Sequence, residues 1–510
     1  MNSWPLWPMC SMPDPRFSRR SLLAAVGALG VTKGVHAQTP VASPTALGRI
    51  PRLRIGMASA PDAISPAAAT TMDSMWLSTL VYDAPIRWNA DGVVMPGIFS
   101  TTASSKSSEV QLQPRSNAWF SDGTAISARQ GVRALSAIKN SRHAWRLENV
   151  EEITELENGV LQISMKRADL SLMGNLAHPL FGIDFEGFGS GPFALSFSDG
   201  EVATYHRHPL FWQIGRPHID ELVVTRMEDD IQRSTAIATG EIDVLPNVPL
   251  LDVPMLVNEP TVYLVGGPSN RLCHLQIRLS VPVLANPRVR QILSSAIDRT
   301  GLVSVATANQ ADPATTLFAD GEWTDPIDSL ESISPENVRA ELHALGVPSD
   351  LRLHLLADNA DATLANTAVV LQEQLANCGI SLSITLLEGE ELAQGIAEGD
   401  YDLLVSYSEP WRDPHELVWP LLSSLGTLNW SGFQSVEVDT LLKAAISIPS
   451  DEFRRERYTR LEGLVRRNVP CIPLFRPYVW DAVSSRFPGY AALPSATSRG
   501  LMTLIPTEAP

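Results

Sequence analysis

Between Leu351 and Val405 the hydrophobic period switches back and forth, and that alternation limits the available folds more than any other feature of the chain. Leu351, Leu353 and Leu355 alternate as a strand does. Leu364, Ala368, Leu371 and Leu375 then repeat at helical spacing, ended by Gly379 where a left-handed cap is needed. Ile380, Leu382, Ile384 and Leu386 alternate again, a short helix spans Glu390 to Ala397, and Tyr401 to Val405 forms a further strand. Strand, helix, strand, helix, strand at this spacing implies an α/β architecture with a parallel sheet and right-handed crossovers. Ligands in such sheets sit beyond the carboxyl ends of the strands, which points to the loop from Ser406 to Leu417. Trp411 and His415 in that loop are suited to walling a cleft and stacking on a solute.

The half before residue 270 reads as β-rich. Leu161, Ile163 and Met165 alternate after the Asn158-Gly159 turn signal, and Leu222-Val223-Val224 is another short strand-like run. The first strand is expected near Leu53 to Gly56, after a Pro-, Thr-, Ser- and Ala-rich linker at 38–49. Asn286-Pro287 starts a helix carrying Val289, Ile292 and Ala296, with Gly301 expected beyond its end. Ser450-Asp451-Glu452 starts another, carrying Leu461, Leu464 and Val465.

The first 37 residues read as an export signal. Phe17-Ser18-Arg19-Arg20-Ser21-Leu22-Leu23 leads into an apolar run to Val31, then Lys33 and Val35-His36-Ala37. Paired arginines, a short apolar core and a small-x-small exit define such a leader, with cleavage expected between Ala37 and Gln38. The core is about ten residues, against the roughly 20 that span a bilayer. Ser-Arg-Arg followed by leucines resembles the twin-arginine export motif, which implies passage through that export machinery and a soluble periplasmic product.

Removing this leader takes Arg16, Arg19, Arg20, Lys33 and Asp14, leaving 35 basic and 55 acidic residues, a net charge of −20. Such a field gives no attraction to nucleic acid or anionic lipid. Cys273, Cys378 and Cys471 remain, too few for a disulfide framework and without a C-x-x-C pair, so buried free thiols are expected. Catalytic patterns are weak. Gly187-Phe188-Gly189-Ser190-Gly191 holds its serine one position off the nucleophile-elbow frame and reads as a glycine-rich turn. His415-Glu416 begins like a zincin motif, but Trp419 stands where the second histidine belongs. His206 and His208 share metal-ligand spacing on a strand, yet read better as a surface pair. No enzyme activity, metal or cofactor is expected, and a secreted hydrolase is the weaker reading of another class.

Several ordered landmarks resemble family 5 extracellular solute-binding proteins, the peptide- and nickel-binding receptors of ABC importers. Trp119 to Ala128 resembles the family's "F-S-D-G-T-P-(L/V)-T-A" stretch, and Gly189 to Phe193 its "G-T-G-P-(Y/F)". His208 to Trp212 resembles "N-P-x-Y-W", Gly240 to Asp243 "G-E-(I/V)-D", and Val289 to Arg299 "V-R-Q-A-(x)-A-I-D-R". Gly399 to Asp402, Val438-Asp439 and Pro470 to Leu474 follow in order. Departures include His208 for the usual Asn, and Arg129-Gln130-Gly131 for the usual acidic pair. The resemblance implies a large two-lobed periplasmic-binding-protein fold of the cluster-C type, with a hinge and an interlobe ligand cleft. It places lobe one at 50–275, with a subdomain near 97–190, and lobe two at 276–475. Residues 476–510 return to lobe one. It implies a monomer that partners a small-molecule or peptide ligand and an ABC permease in the inner membrane.

For the ligand, the resemblance gives two branches. In the peptide branch an acid of the 407–415 loop pairs with an α-amino group, which makes Glu409 and Asp413 the candidates, with Tyr407 and Arg412 beside them. The nickel branch resembles this chain at Arg142-His143-Ala144-Trp145 and at Pro410 to His415, and holds metal as an organic chelate. There Arg142 suits a carboxylate, and Trp145, Trp411 and His415 suit the walls. A short peptide or peptide-like solute is the expected ligand, with the metal chelate as the alternative.

Overall fold

The computed structural model describes residues 48–506 apart from 62–64, 90–92, 103–105, 320–321, 326–331, 448–449 and 492–496. The export signal, its cleavage site and almost all of the proposed linker lie outside the described residues.

Twelve strands form the principal sheet: β1 (Ile50–Met57), β2 (Phe193–Ser198), β3 (Val202–Arg207), β4 (Ile219–Arg226), β5 (Val244–Leu245), β6 (Val262–Pro268), β7 (Cys273–Ile277), β8 (Ala311–Pro313), β9 (Arg352–Asp358), β10 (Ser381–Leu387), β11 (Leu403–Tyr407) and β12 (Cys471–Ser484). The order is β2-β3-β4-β1-β5-β12-β7-β11-β9-β10, with β6 and β8 also paired to β12. Strand β9 runs parallel to β10 (Leu355↔Ile384) and to β11 (Leu355↔Leu403), as the alternating periods predict. Val405 is 1% exposed and Leu355 is fully buried, so the continuous apolar runs are explained by cover on both faces.

Strand β12 joins the two halves of this sheet. Its residues Cys471 to Pro477 pair with β7 and β8, while Tyr478 to Ser484 pair with β6. The other connection is the short run 269–272 between β6 and β7. Separate cores form on the two sides. Leu53, Ile55, Leu77, Phe193 and Leu222 pack in one, and Leu275, Leu302, Leu355, Leu371 and Ile472 in the other.

A further antiparallel sheet (Phe99–Thr102, Glu109–Pro114, Leu161–Met165, Val150–Glu155) sits within the first segment, packed beneath the helix Ala128–Lys139. Gly189, in the glycine-rich stretch, lets two segments of the backbone touch: a Cβ there would stand 1.8 Å from the Val81 carbonyl oxygen. Ser190 is 1% exposed and its Oγ accepts from Asp83 N at 3.4 Å, so it is not the exposed hydroxyl a nucleophile elbow presents.

The predicted caps fall where expected for Asn286, Ser450 and Gly379, the last at φ +81°. Gly301 does not. The helix Pro287–Ser295 stops earlier, and Asp298 caps a second helix, Arg299–Ala306, accepting from Thr300 N and Gly301 N at 3.1 Å each. Gly301 is therefore beyond the first helix, as expected, but inside the next one instead of capping an end. His206 and His208 also part company: the His206 side chain is 56% exposed, while His208 is buried with Nδ1 at 3.0 Å from the Gly191 carbonyl oxygen. Cys273, Cys378 and Cys471 are buried free thiols. Among the described residues no helix is long and apolar enough to cross a membrane.

Candidate functional site

The loop after β11 is fixed at both ends. At its start the Tyr407 ring lies 3.9 Å beneath the Arg271 guanidinium carbon, edge-on to Phe475 at 6.4 Å. Ser408 N donates to Leu272 O at 2.8 Å, and Ser408 Oγ accepts from Leu272 N at 2.9 Å. At its end Asp413 caps the helix Pro414–Leu422, accepting from His415 N at 2.9 Å, with Pro414 in the first-turn position proline favours. Arg454 donates to both Asp413 oxygens at 2.7 Å. Asp413, engaged through both oxygens, thus anchors a helix that is buried throughout.

Against this loop lies a short 3-10 turn, Ala144–Leu147, from the first segment of the chain. Trp145 stacks on Trp419 with centroids 5.1 Å apart and planes 10° from parallel. The next residue, Arg146, has a fully buried side chain and stacks on Trp145 at 4.5 Å. Its Nη2 donates to Glu409 Oε2 at 2.8 Å, its Nη1 to Asn175 Oδ1 at 3.0 Å, and Nη1 stands 3.4 Å from Glu416 Oε1. Asn175 Nδ2 in turn donates to the Arg146 carbonyl at 2.9 Å, so one side chain holds both ends of the arginine. Glu416 Oε2 accepts from Arg412 N at 2.9 Å. Further along the same seam Leu170 N donates to Ile446 O at 3.0 Å.

Charge states follow from this packing. Burial works to raise the Glu409 carboxyl, but Arg146, with His143 and Arg142, more than offsets it and leaves the group below its ordinary range. Glu416 goes the other way, raised chiefly by burial despite Arg146. Burial lowers His143 to about 4 and His415 to about 4, and drives His178 well down, so all three imidazoles are neutral at neutral pH. Burial likewise lowers Arg412, against the pull of Glu416.

The sequence-predicted residues distribute unevenly over this seam. Glu409, Arg412, Asp413, His415 and Trp145 are part of it or border it. Trp411 is 2% exposed and sits edge-on to Phe318 at 5.9 Å, within a core that also holds Trp419 and Tyr458. Tyr407 belongs to the strand end. Arg142 is exposed, and the guanidinium at the centre of the seam is that of Arg146, four residues on. Arg146, Asn175 and Arg454 carried no sequence signal, and Glu416 only that of an incomplete zincin motif, because their partners lie far away in the chain; Arg146 and Glu409 are 263 positions apart.

The seam is also rich in polar atoms without partners. Arg146 Nε, Trp411 Nε1, Arg412 Nε, His415 Nδ1 and Arg454 Nε are buried and unbonded. Each such group left dry costs about 1–3 kcal/mol. The arginine and tryptophan nitrogens among them are donors able to take acceptors such as carboxylate or carbonyl oxygens, or water, while Nδ1 of the neutral His415 donates or accepts according to its tautomer. A cavity of about 440 Å3 lies elsewhere, beyond the opposite end of β7, lined by Arg278, Tyr401 and Trp430 among others. It includes none of the predicted residues.

Two half-sheets are thus joined through β12, and a charged, aromatic seam runs between distant chain segments. Residues 94–429 match the model of the bacterial extracellular solute-binding proteins, family 5 Middle, and the chain belongs to that family. Among its relatives is the peptide transport periplasmic protein SapA of Salmonella typhimurium, 24% identical over 400 residues that cover 70% of this chain and 72% of SapA. Two solved structures share the fold. The oligopeptide-binding protein AppA from Bacillus subtilis, in complex with a nonapeptide, superposes with a TM-score of 0.81 at 17% identity, covering 91% of this chain and 100% of that one. NikA from Staphylococcus aureus, in complex with Ni(L-His)2, gives 0.80 at 19% identity, covering 90% and 100%. The fold is accordingly the two-lobed one of periplasmic binding proteins.

Proposed function

We propose that this chain is an exported periplasmic receptor that captures a short peptide or peptide-like solute between its lobes and delivers it to an ABC permease in the inner membrane. Lobe one is put at 50–275 with 476–510 and lobe two at 276–475, and the pairing of β7 with β11 supports drawing the first boundary back to 269–272. The chain passes between them at 269–272 and within β12, which supports a hinge that lets the lobes close while staying in register. The receptor works by differential affinity: a solute that contacts both lobes stabilises the closed form over the open one.

The observation that carries the reading is the seam itself. The loop at the carboxyl end of β11 meets Trp145 and Arg146 from the other lobe, and the donors around it lack partners. A peptide supplies carbonyl and carboxylate oxygens for such donors. SapA, a peptide transport protein, and AppA, with its nonapeptide, support the peptide class. The metal-chelate alternative draws on NikA and on the Arg142-His143-Ala144-Trp145 turn lying at the seam. There, however, His143 Nε2 is 3.3 Å from the Ala69 carbonyl oxygen, engaged within its own lobe. Native mass spectrometry of the protein from its own periplasm, before and after denaturation, with metal analysis, tests the proposal. A released peptide or amino-acid conjugate is expected. Nickel with a carboxylate-rich organic partner would replace the peptide reading by the chelate one.

A further inference from the structure

Both acids expected to meet a ligand amine are already engaged by arginines: Asp413 by Arg454 of its own lobe, Glu409 by Arg146 of the other. The second pairing has consequences of its own. At 2.8 Å, Arg146 Nη2 and Glu409 Oε2 leave no space for a third group between them. The guanidinium is clamped from behind by Asn175 and stacked on Trp145, so it is positioned before the lobes meet. Glu409 keeps 20% of its side chain exposed and is therefore reachable from one side. Separating the two segments has to break this contact and the 3.4 Å approach to Glu416 together, with the Trp145–Trp419 stack beside them.

We propose that Arg146 is a built-in interlobe latch, an intramolecular counter-ion for Glu409 that holds the lobes shut without any solute. The inference rests on the two-lobed receptor reading and adds to it that closure has a resting ionic contribution. Arg146→Gln leaves Glu409 and Glu416 without their guanidinium, and Glu409→Gln takes from Arg146 the closer of its two carboxylates; the closed form bears either loss, because in the open form water solvates these groups. Loss of either partner must therefore favour opening.

The test is small-angle X-ray scattering of the mature chain, stripped of solute by denaturation and refolding, as wild type, Arg146→Gln and Glu409→Gln. In both variants the closed-to-open ratio is expected to fall about tenfold or more, with the scattering moving to the more extended form. Scattering identical to wild type in both variants would overturn the latch. Should Arg146→Gln fail to refold, Glu409→Gln decides alone, because it leaves Arg146 with Glu416 and Asn175. No solute enters this measurement, so a failed latch leaves the receptor reading standing, and that reading fails separately if the periplasmic protein releases no solute.

Discussion

Glu462 offers a sharp test of how far burial controls a charge in this molecule. It lies on the helix Asp451–Asn468, is 1% exposed, and is flanked by Leu461, Leu464 and Val465 of the core. Leu317 N donates to its two oxygens at 3.3 and 3.1 Å. Burial pushes the carboxyl from 4.5 up to about 7, against the Leu317 amide and the more distant Arg476 and Arg466. The sign follows from linkage. Below pH 4.5 the group is protonated folded and unfolded, and its stabilising share is fully present. As pH rises the unfolded chain gives up the proton first, so stability drains away until about pH 7 and then levels off. At 1.36 kcal/mol per pH unit the loss amounts to about 3 kcal/mol. Glu462→Gln keeps an acceptor for Leu317 but carries no charge, so the variant should match wild type near pH 4.5 and exceed it by about 3 kcal/mol at pH 8. Urea denaturation at the two pH values reads the difference directly. The same wild-type-to-variant gap at both would refute the reasoning.

Four further outcomes are expected. Trp411→Ala should cost about 3–5 kcal/mol in thermal unfolding, because the ring is core, and its affinity must be read well below the variant's transition. Arg142→Ala, at an exposed position, should change stability by less than about 0.5 kcal/mol, and unchanged solute affinity would remove it from the site. Asp413→Asn retains an acceptor for the helix cap but strips Arg454 of its counter-charge, so a destabilisation of about 3–5 kcal/mol is expected in denaturant titrations. Arg19→Lys with Arg20→Lys should leave the precursor in the cytoplasm, and normal periplasmic accumulation would defeat the twin-arginine reading.

What could be read from the chain beforehand was whatever is encoded locally. The parallel strands β9, β10 and β11 announced themselves because period 2 and period 3.6 are set by the backbone of each element alone. The caps at Ser450 and Asn286 were legible for the same reason, their partners being two or three residues away. Strand β12 shows where local reading stops. It contains Pro473 and Pro477, residues that argue against a central strand. It also lacks alternation, because Cys471 to Pro477 are buried without a break. Its neighbours, β6, β7 and β8, are what make it a strand. The seam is the extreme of the same rule. Arg142 and Arg146 lie one helical turn apart and are equally good carboxylate binders by type. Arg146 is selected only because Asn175, Glu409 and Glu416, from 29 to 270 positions away, converge on it. A loop acid therefore looks free in sequence and proves to be spoken for in three dimensions, and any ligand that uses Glu409 has to be weighed against the guanidinium already there.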